Sequence, residues 1–175
     1  HTLFPYTTLF RSAMILSDGV IGQMMEKVVL PPYKPRRTEE EIVKECPWAA
    51  NGHGLKSRKL NVITSLELDP AEMEKKNEHL QAKYRDIQAN EVRYEETNLE
   101  DAELAIVAFG SAARISYKAM ENARAQGIKV GLFRPITLWP FPEKAYADTV
   151  ETAKAYLVVE LSMGQMVDDV RLATS

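Results

Sequence analysis

Residues 102–175 show the most regular pattern of apolar and polar segments in the chain. Continuous apolar runs that contain β-branched residues predict three strands, at Glu103–Phe109, Ile128–Phe133 and Tyr156–Leu161. Amphipathic segments between and after the runs predict helices, from Ser111 to about Gln126, from about Glu143 to Lys154, and after Gly164. Strands that alternate with helices of this length predict an α/β fold with a mainly parallel sheet covered by helices on both faces.

The region before residue 102 is organised differently. The apolar run Ala13–Leu16 predicts a short strand, followed by a turn and the start of a short helix at Gly22–Glu26. This order is typical of the end of a domain. The proline-rich stretch Pro31–Pro35 predicts an extended connector, since proline is excluded from a helix interior. Charged residues are denser in 31–101 than in 102–175. We therefore predict a domain end at 13–30, a connector at 31–101 and a second domain at 102–175.

One well-marked helix is predicted inside the connector, at about 70–92. Asp69 is a favourable N-cap, Pro70 suits the first helical position, and Glu72 completes a capping box. Apolar residues then recur at spacings of three and four and form a narrow stripe, made of Met73, Leu80, Tyr84 and Ile87. Such a stripe packs on one partner surface. Either the helix docks on another subunit, or it covers its own domain.

Composition and charge exclude several classes of protein. The chain has 175 residues and a formal charge of 22 − 25 = −3, which argues against a nucleic-acid binder with a basic face. No run approaches the roughly 20 apolar residues that a membrane span needs. The single cysteine, Cys46, cannot hold an iron–sulfur cluster, which normally takes four thiolates. Any such cluster must lie on another chain.

The first twelve residues are treated separately. The run Thr2–Ser12 has neither strand alternation nor a helical period, and it resembles the translation of a sequencing-library adapter. We expect residues 1–12 to be an artefact. The native sequence would then continue upstream of Ala13.

Candidate functional residues follow the predicted strands, because ligands and partners of parallel α/β sheets meet the carboxyl ends of the strands. Arg134 and Thr137 could bind an anion, and an exposed Trp139 would suit an interface anchor. Gln165 and Met166 lie in the turn after the last strand. Each has a plainer explanation: a loop bracketed by prolines also serves packing, and Gly110-Ser111 before a helix is more often a cap than a phosphate site.

Three strings carry a family resemblance: Ile15–Glu26, Gly131–Pro142 and Leu157–Arg171. They resemble the α subunit of 2-oxoacid:ferredoxin oxidoreductases, most closely the 2-oxoisovalerate (3-methyl-2-oxobutanoate) enzyme and next the 2-oxoglutarate enzyme. The resemblance covers essentially all of 13–175. It implies the end of a thiamine-diphosphate pyrimidine-type domain, the connector, and most of a transketolase-C-terminal-like domain.

The resemblance also implies an activity, which is the oxidative decarboxylation of a 2-oxoacid to its acyl-CoA. It implies thiamine diphosphate with Mg at the interface with a partner subunit, and iron–sulfur clusters on other subunits. The partners would be β, γ and ferredoxin-like subunits, ferredoxin, coenzyme A and the 2-oxoacid, in the cytoplasm. The activating glutamate of that family lies upstream of Ala13, so we assign no catalytic residue here and expect the isolated fragment to be inactive.

Two alternatives remain open at this point. The β subunit of NAD-linked branched-chain 2-oxoacid dehydrogenase ends in the same type of domain, and Thr137–Pro140 satisfies its looser Thr-x-x-Pro pattern. The full string Arg134–Pro142 favours the ferredoxin class. A free-standing, non-catalytic α/β binding module is the other alternative.

Overall fold

The computed structural model describes residues 14–17, 19–48, 61, 64, 66–150 and 152–174. The predicted artefact at 1–12 lies outside these residues. The chain divides into two units, with the boundary between Pro70 and Ala71. Each unit is described by itself.

The first unit contains two short helices. Helix α1 spans Gly19–Gln23 with none of its residues buried, so it starts earlier than the short helix expected from Gly22. Residues 14–17 form no strand, in contrast to the prediction from their apolar character. Helix α2 spans Glu39–Glu45 and begins with a capping box, in which Thr38 accepts a hydrogen bond from the Glu41 N–H and the Glu41 carboxylate accepts one from the Thr38 N–H.

Helix α3 spans Pro70–Asn90, close to the predicted bounds. Its apolar stripe is buried only near the carboxyl end, where Ile87 is 7% exposed. Tyr84 is 38% exposed and Met73 is 37% exposed, while Leu80 is half-buried. The stripe is therefore only partly buried.

The second unit is built on a four-stranded sheet. Its strands are β1 at Tyr94–Thr97, β2 at Leu104–Ala108, β3 at Val130–Pro135 and β4 at Ala155–Val159. Their order is β1-β3-β2-β4; β2 is parallel to both β3 and β4, and β1 is antiparallel to β3. The predicted mainly parallel α/β sheet is confirmed.

Helices cover both faces of this sheet. Alternate residues of β2 point to opposite faces, so Val107 joins one apolar cluster and Ile106 joins the other. The first cluster contains Phe133 of β3 together with Tyr146 of helix α5 (Glu143–Val150) and residues of helix α6 (Met166–Thr174). The second contains the buried side of helix α4 (Gly110–Ala125). Each face thus has its own core.

Several element boundaries differ from the prediction, by one to four residues. Helix α4 begins at Gly110, so Ser111 lies in its first turn, and the N-cap residue Phe109 makes no side-chain cap hydrogen bond. Strand β3 continues through Arg134 to Pro135, where we expected irregular structure. Pro135 is the last residue of the strand, so its missing N–H costs the ladder at most one hydrogen bond.

Candidate functional site

Three parallel strands end at one edge of the sheet, which we name the carboxyl edge. The register pairs Val107 of β2 with Phe133 of β3 on one side and with Val158 of β4 on the other. The segments that follow these strands, which begin at Phe109, Ile136 and Glu160, therefore lie side by side. Because β1 is antiparallel to β3, its first residue, Tyr94, lies at the same edge.

Arg134 lies within β3 and carries an ion pair. Its Nη1 is 2.7 Å from the Glu95 carboxylate, and the two residues are also register partners across β1 and β3. The Arg134 side chain is 43% exposed. To bind an anion, Arg134 would have to break its ion pair with Glu95 or contact both groups at once. In this structure the ion pair links β1 to β3.

Thr137 ties the loop after β3 to the start of β1. Its Oγ1 accepts a hydrogen bond from the Arg93 N–H at 3.0 Å and donates to the Arg93 carbonyl at 3.3 Å. The backbone N–H groups of Ile136 and Thr137 donate to the same carbonyl. These bonds fix the loop, so the hydroxyl serves the backbone rather than a bound anion.

Trp139 is 56% exposed and contacts Tyr84 of α3 edge-on, with ring centroids 5.6 Å apart. The peptide bond to Pro140 is cis. A cleft of about 730 Å³ opens beside the ring. Its walls combine aromatic rings with cationic side chains, among them Arg85, Tyr94, Trp139, Phe141 and Lys144. Glu143 and Asp169 also line the cleft, so its charges balance.

Glu160, the first residue after β4, organises the last segment of the edge. Its carboxylate accepts hydrogen bonds from the Ser162 hydroxyl at 2.7 Å and from the backbone N–H groups of Gln165 at 3.0 Å and Met166 at 3.1 Å. A longer bond, at 3.4 Å, comes from Val167. The hydrogen bond from Ser162 is the largest cause that holds the pKa of this carboxyl below its usual value.

Glu160 is a residue that the sequence analysis missed. Its carboxylate occupies the N-terminus of α6, where free N–H groups would otherwise bind an anion. A signal was present: Gln165, the residue before the helix, is a poor N-cap, so the cap had to come from elsewhere.

The two predicted residues of this turn have different environments. Gln165 is exposed, while Met166 is 3% exposed and belongs to the core cluster with Phe133 and Tyr146. Met166 was predicted to face a partner or substrate. Its burial instead makes it a core residue of the second unit, since the period of α6 turns it towards the sheet.

Among the described residues, neither a cluster of metal ligands nor the N-terminus of α6 is available to thiamine diphosphate and its metal. No group of three or more His, Cys, Asp or Glu among them could hold a metal ion. The N-terminus of α6 already holds the Glu160 carboxylate, which would repel a diphosphate. We therefore assign no chemical step to these residues. In the same part of the chain, no helix is both long and apolar enough to cross a membrane.

The second unit, which contains the carboxyl edge, also matches a known family in sequence. Residues 102–175 match the family model for pyruvate:ferredoxin oxidoreductase core domain II. This match, together with the relatives described next, supports the resemblance of the chain to the 2-oxoacid:ferredoxin oxidoreductases.

Two relatives of known name match nearly the whole chain. The chain is 43% identical, over 92% of its length, to the ketoisovalerate oxidoreductase subunit VorB of Methanothermobacter marburgensis. It is 26% identical, over 93% of its length, to the 2-oxoglutarate synthase subunit KorA of the same organism. It spans 44% of the first relative and 48% of the second, so it corresponds to less than half of each.

A solved structure agrees with the fold. It is the 2-oxoglutarate:ferredoxin oxidoreductase from Magnetococcus marinus with 2-oxoglutarate, coenzyme A and succinyl-CoA bound. The TM-score is 0.59 and the identity 26%, and the match covers 70% of this chain and 23% of that one.

Proposed function

We propose that this chain is part of a 2-oxoacid:ferredoxin oxidoreductase subunit that acts on a branched-chain 2-oxoacid. In the overall reaction the 2-oxoacid, coenzyme A and two oxidised ferredoxins give the acyl-CoA, CO₂, a proton and two reduced ferredoxins. One observation carries the substrate class: identity is 43% to the ketoisovalerate subunit and 26% to the 2-oxoglutarate subunit over similar lengths. The second candidate substrate is 2-oxoglutarate, because its synthase subunit matches over an equal share of the chain.

The role of this chain in that enzyme is structural. Thiamine diphosphate, when bound, supplies the carbanion chemistry of decarboxylation, and we place it with Mg at the interface between an upstream domain and a partner subunit. We place the iron–sulfur clusters on other subunits, and the single cysteine of this chain cannot hold one. The loops at the carboxyl edge, around Thr137, Trp139 and Gln165, face the partner or the substrate.

We infer the same domain order as the resemblance implies. Residues 13–30 end a pyrimidine-type domain, 31–101 connect, and 102–175 belong to a transketolase-C-terminal-like domain in a cytoplasmic enzyme. The NAD-linked dehydrogenase and the free-standing binding module have less support, since the family model and the matched solved structure are both of ferredoxin oxidoreductases.

The test of the substrate class uses the complete complex with all its subunits. Initial rates are measured with 2-oxoisovalerate and with 2-oxoglutarate, each with coenzyme A and a low-potential viologen dye. We expect kcat/KM to favour 2-oxoisovalerate by about 10-fold or more. A pocket shaped for an apolar branched chain would leave the second carboxylate of 2-oxoglutarate without hydrogen-bond partners. A preference for 2-oxoglutarate would reverse the proposal in favour of the second candidate.

The test of thiamine dependence uses the same complex after removal of the cofactor and divalent metal. Activity should fall to background and return only when thiamine diphosphate and Mg²⁺ are both added. Full activity in a preparation shown to be free of thiamine would contradict the proposal.

A further inference from the structure

Strand β4 lies at one edge of the sheet, but its composition is that of an interior strand. Its sequence, Ala-Tyr-Leu-Val-Val, contains no charged residue, yet none of its five residues is buried. Strand β2 has a similar apolar sequence, and four of its five residues are buried. Parallel strands that are apolar along their whole length are typical of the inside of a covered sheet. Among the residues that the structure describes, β2 is the one strand that pairs with β4.

The other edge of the sheet, formed by β1, has the features of a natural edge. Strand β1 carries Glu95 and Glu96, and three of its four residues are exposed. Charged side chains on an edge strand hinder pairing with a further strand. The sequence of β4 has no such protection. The comparison indicates that a further strand would pair with β4 rather than with β1.

The backbone of β4 directs hydrogen-bonding groups to its outer side. The Lys154 N–H donates to the Glu103 carbonyl at 2.9 Å, so this N–H points towards β2. Successive N–H groups of a strand point to opposite sides. The N–H of Tyr156 therefore points towards β2, and those of Leu157 and Val159 point away from it. These outward groups are placed to bond a parallel strand.

The helices indicate the direction in which the chain continues. Helix α4 connects β2 to β3 across the face of Ile106, and α5 connects β3 to β4 across the face of Val107. The two connections run in opposite directions on opposite faces, so they have the same hand. Helix α6 follows β4 on the same face as α5, with Met166 in the cluster of Tyr146. Because parallel crossovers are right-handed in about 98% of cases, a strand that follows α6 in this sheet would lie beyond β4.

We propose that the outer edge of β4 is occupied by a parallel strand of the same subunit, contributed by residues that follow α6 in the complete protein. This strand bonds to the outward backbone groups of Leu157 and Val159. It carries apolar side chains beside Leu157, which is 49% exposed. The existence of a complete subunit longer than this chain rests on the proposed function.

Hydrogen exchange of the complete subunit, purified without its partners, tests the pairing at single residues. The N–H groups of Leu157 and Val159 should exchange about 100-fold or more slowly than unstructured amides, because both would be bonded within the sheet. The N–H of Tyr156 is the internal control, since it points towards β2 and should exchange slowly in either case. Fast exchange at Leu157 and Val159 beside slow exchange at Tyr156 would overturn the proposal.

The same measurement in the assembled complex separates the possible sources of the strand. We expect the exchange rates of Leu157 and Val159 to be unchanged on assembly and independent of subunit concentration. Protection that arises only on assembly would assign the strand to another subunit. Protection that rises with subunit concentration would assign it to a second copy of the same subunit. Either result overturns the proposal.

A photo-cross-link identifies the neighbour of β4 within the assembled complex. Leu157 is replaced in the complete subunit by the photoreactive residue p-benzoylphenylalanine, and the irradiated complex is digested for mass spectrometry. We expect a link to a peptide downstream of α6 in the same polypeptide. The same replacement at Tyr117, which is 45% exposed on α4, is the control and should give no link to that peptide. A link from position 157 to another subunit would contradict the proposal.

The outcomes also separate this inference from the proposed function. Slow exchange at Leu157 and Val159 in a complex that oxidises no 2-oxoacid supports the strand and overturns the proposed activity. Fast exchange at both residues in a complex that is active with 2-oxoisovalerate overturns the strand and leaves the proposed activity intact.

Discussion

At the scale of single residues, Gly131 of β3 is the most tightly packed of the glycines that the structure describes. A Cβ at this position would lie 2.6 Å from the Asn98 carbonyl oxygen and 2.6 Å from Leu99 Cδ2. Asn98 itself has φ of +53°, so the turn that brings its carbonyl against the strand is already unusual. The close approach packs the turn after β1 against the sheet.

Gly131→Ala should therefore lower the free energy of unfolding of the chain by about 2–3 kcal/mol, through overpacking against backbone that cannot easily move. Gly127→Ala is the matched control. Gly127 has φ of +83° but open space around it, so only the backbone strain of about 1 kcal/mol applies. Urea unfolding of the unsubstituted chain and the two variants measures whether Gly131→Ala loses more stability than Gly127→Ala. Equal losses would show that steric contact at Gly131 is unimportant.

Tyr146 gives a prediction for alkaline pH. It is fully buried against Phe133, with ring centroids 4.3 Å apart, and burial is the largest cause that raises the pKa of its phenol. Below the ordinary tyrosine pKa near 10, the phenol is protonated in both the folded and the unfolded form, so its ionisation does not lower the free energy of unfolding. Above that pH the unfolded form ionises first, so stability falls by up to about 1.4 kcal/mol per pH unit.

The Tyr146→Phe variant removes this ionisation. Its stability should decline less steeply than that of the unsubstituted chain between about pH 10 and pH 11, as measured by urea unfolding at each pH. Tyr117→Phe, at a position that is 45% exposed on α4, is the control and should run parallel to the unsubstituted chain. Parallel curves for Tyr146→Phe would contradict the assigned cause.

At the scale of elements, the sequence predicts the strands and helices that have a clear apolar pattern. It misses elements and caps that depend on contacts between residues far apart in the sequence. β2 and α4 follow from a buried apolar run and an amphipathic face. β1, with the sequence Tyr-Glu-Glu-Thr, has no such pattern because it is an exposed edge strand, joined to β3 by pairs such as Glu95 with Arg134. The Glu160 cap was missed for the same reason, since its partners follow a turn whose geometry periodicity does not reveal.

The burial of helix α3 bears on the two interpretations of its stripe. Ile87 is buried, whereas Met73 and Tyr84 are more than a third exposed. The buried end follows from the apolar period. The exposed end does not, because the period predicts a buried face but not what covers it.

Substitutions at the two ends of α3 should therefore act differently. Ile87→Ala should lower the free energy of unfolding by about 2–4 kcal/mol, since it leaves a cavity. Met73→Asp should change it by less than about 1 kcal/mol but weaken association of the complete subunit with its partners. Urea unfolding and dilution of the complex measure the two effects. Unchanged association of Met73→Asp would show that the stripe does not dock.

At the scale of the whole molecule, the proposed enzyme needs more groups than this chain has. The chain has one cysteine, and its match spans 44% of the ketoisovalerate subunit. In the proposed reaction, electrons from the 2-oxoacid pass through iron–sulfur clusters, and each cluster normally needs four thiolates. If the proposal holds, electron transfer requires more than this chain.

The isolated chain should accordingly show no turnover of 2-oxoisovalerate with coenzyme A and a viologen dye, and it should hold no stoichiometric iron or sulfide after reconstitution. The complete complex, assayed in parallel, is the positive control and should reduce the dye. Far-UV circular dichroism and the Tm of the isolated chain establish that it is folded, so that inactivity reports missing groups rather than a missing fold. Turnover by the chain alone would show that catalytic residues lie within it, and the carboxyl edge, where Glu160 and Trp139 lie, would then be the first place to search for them.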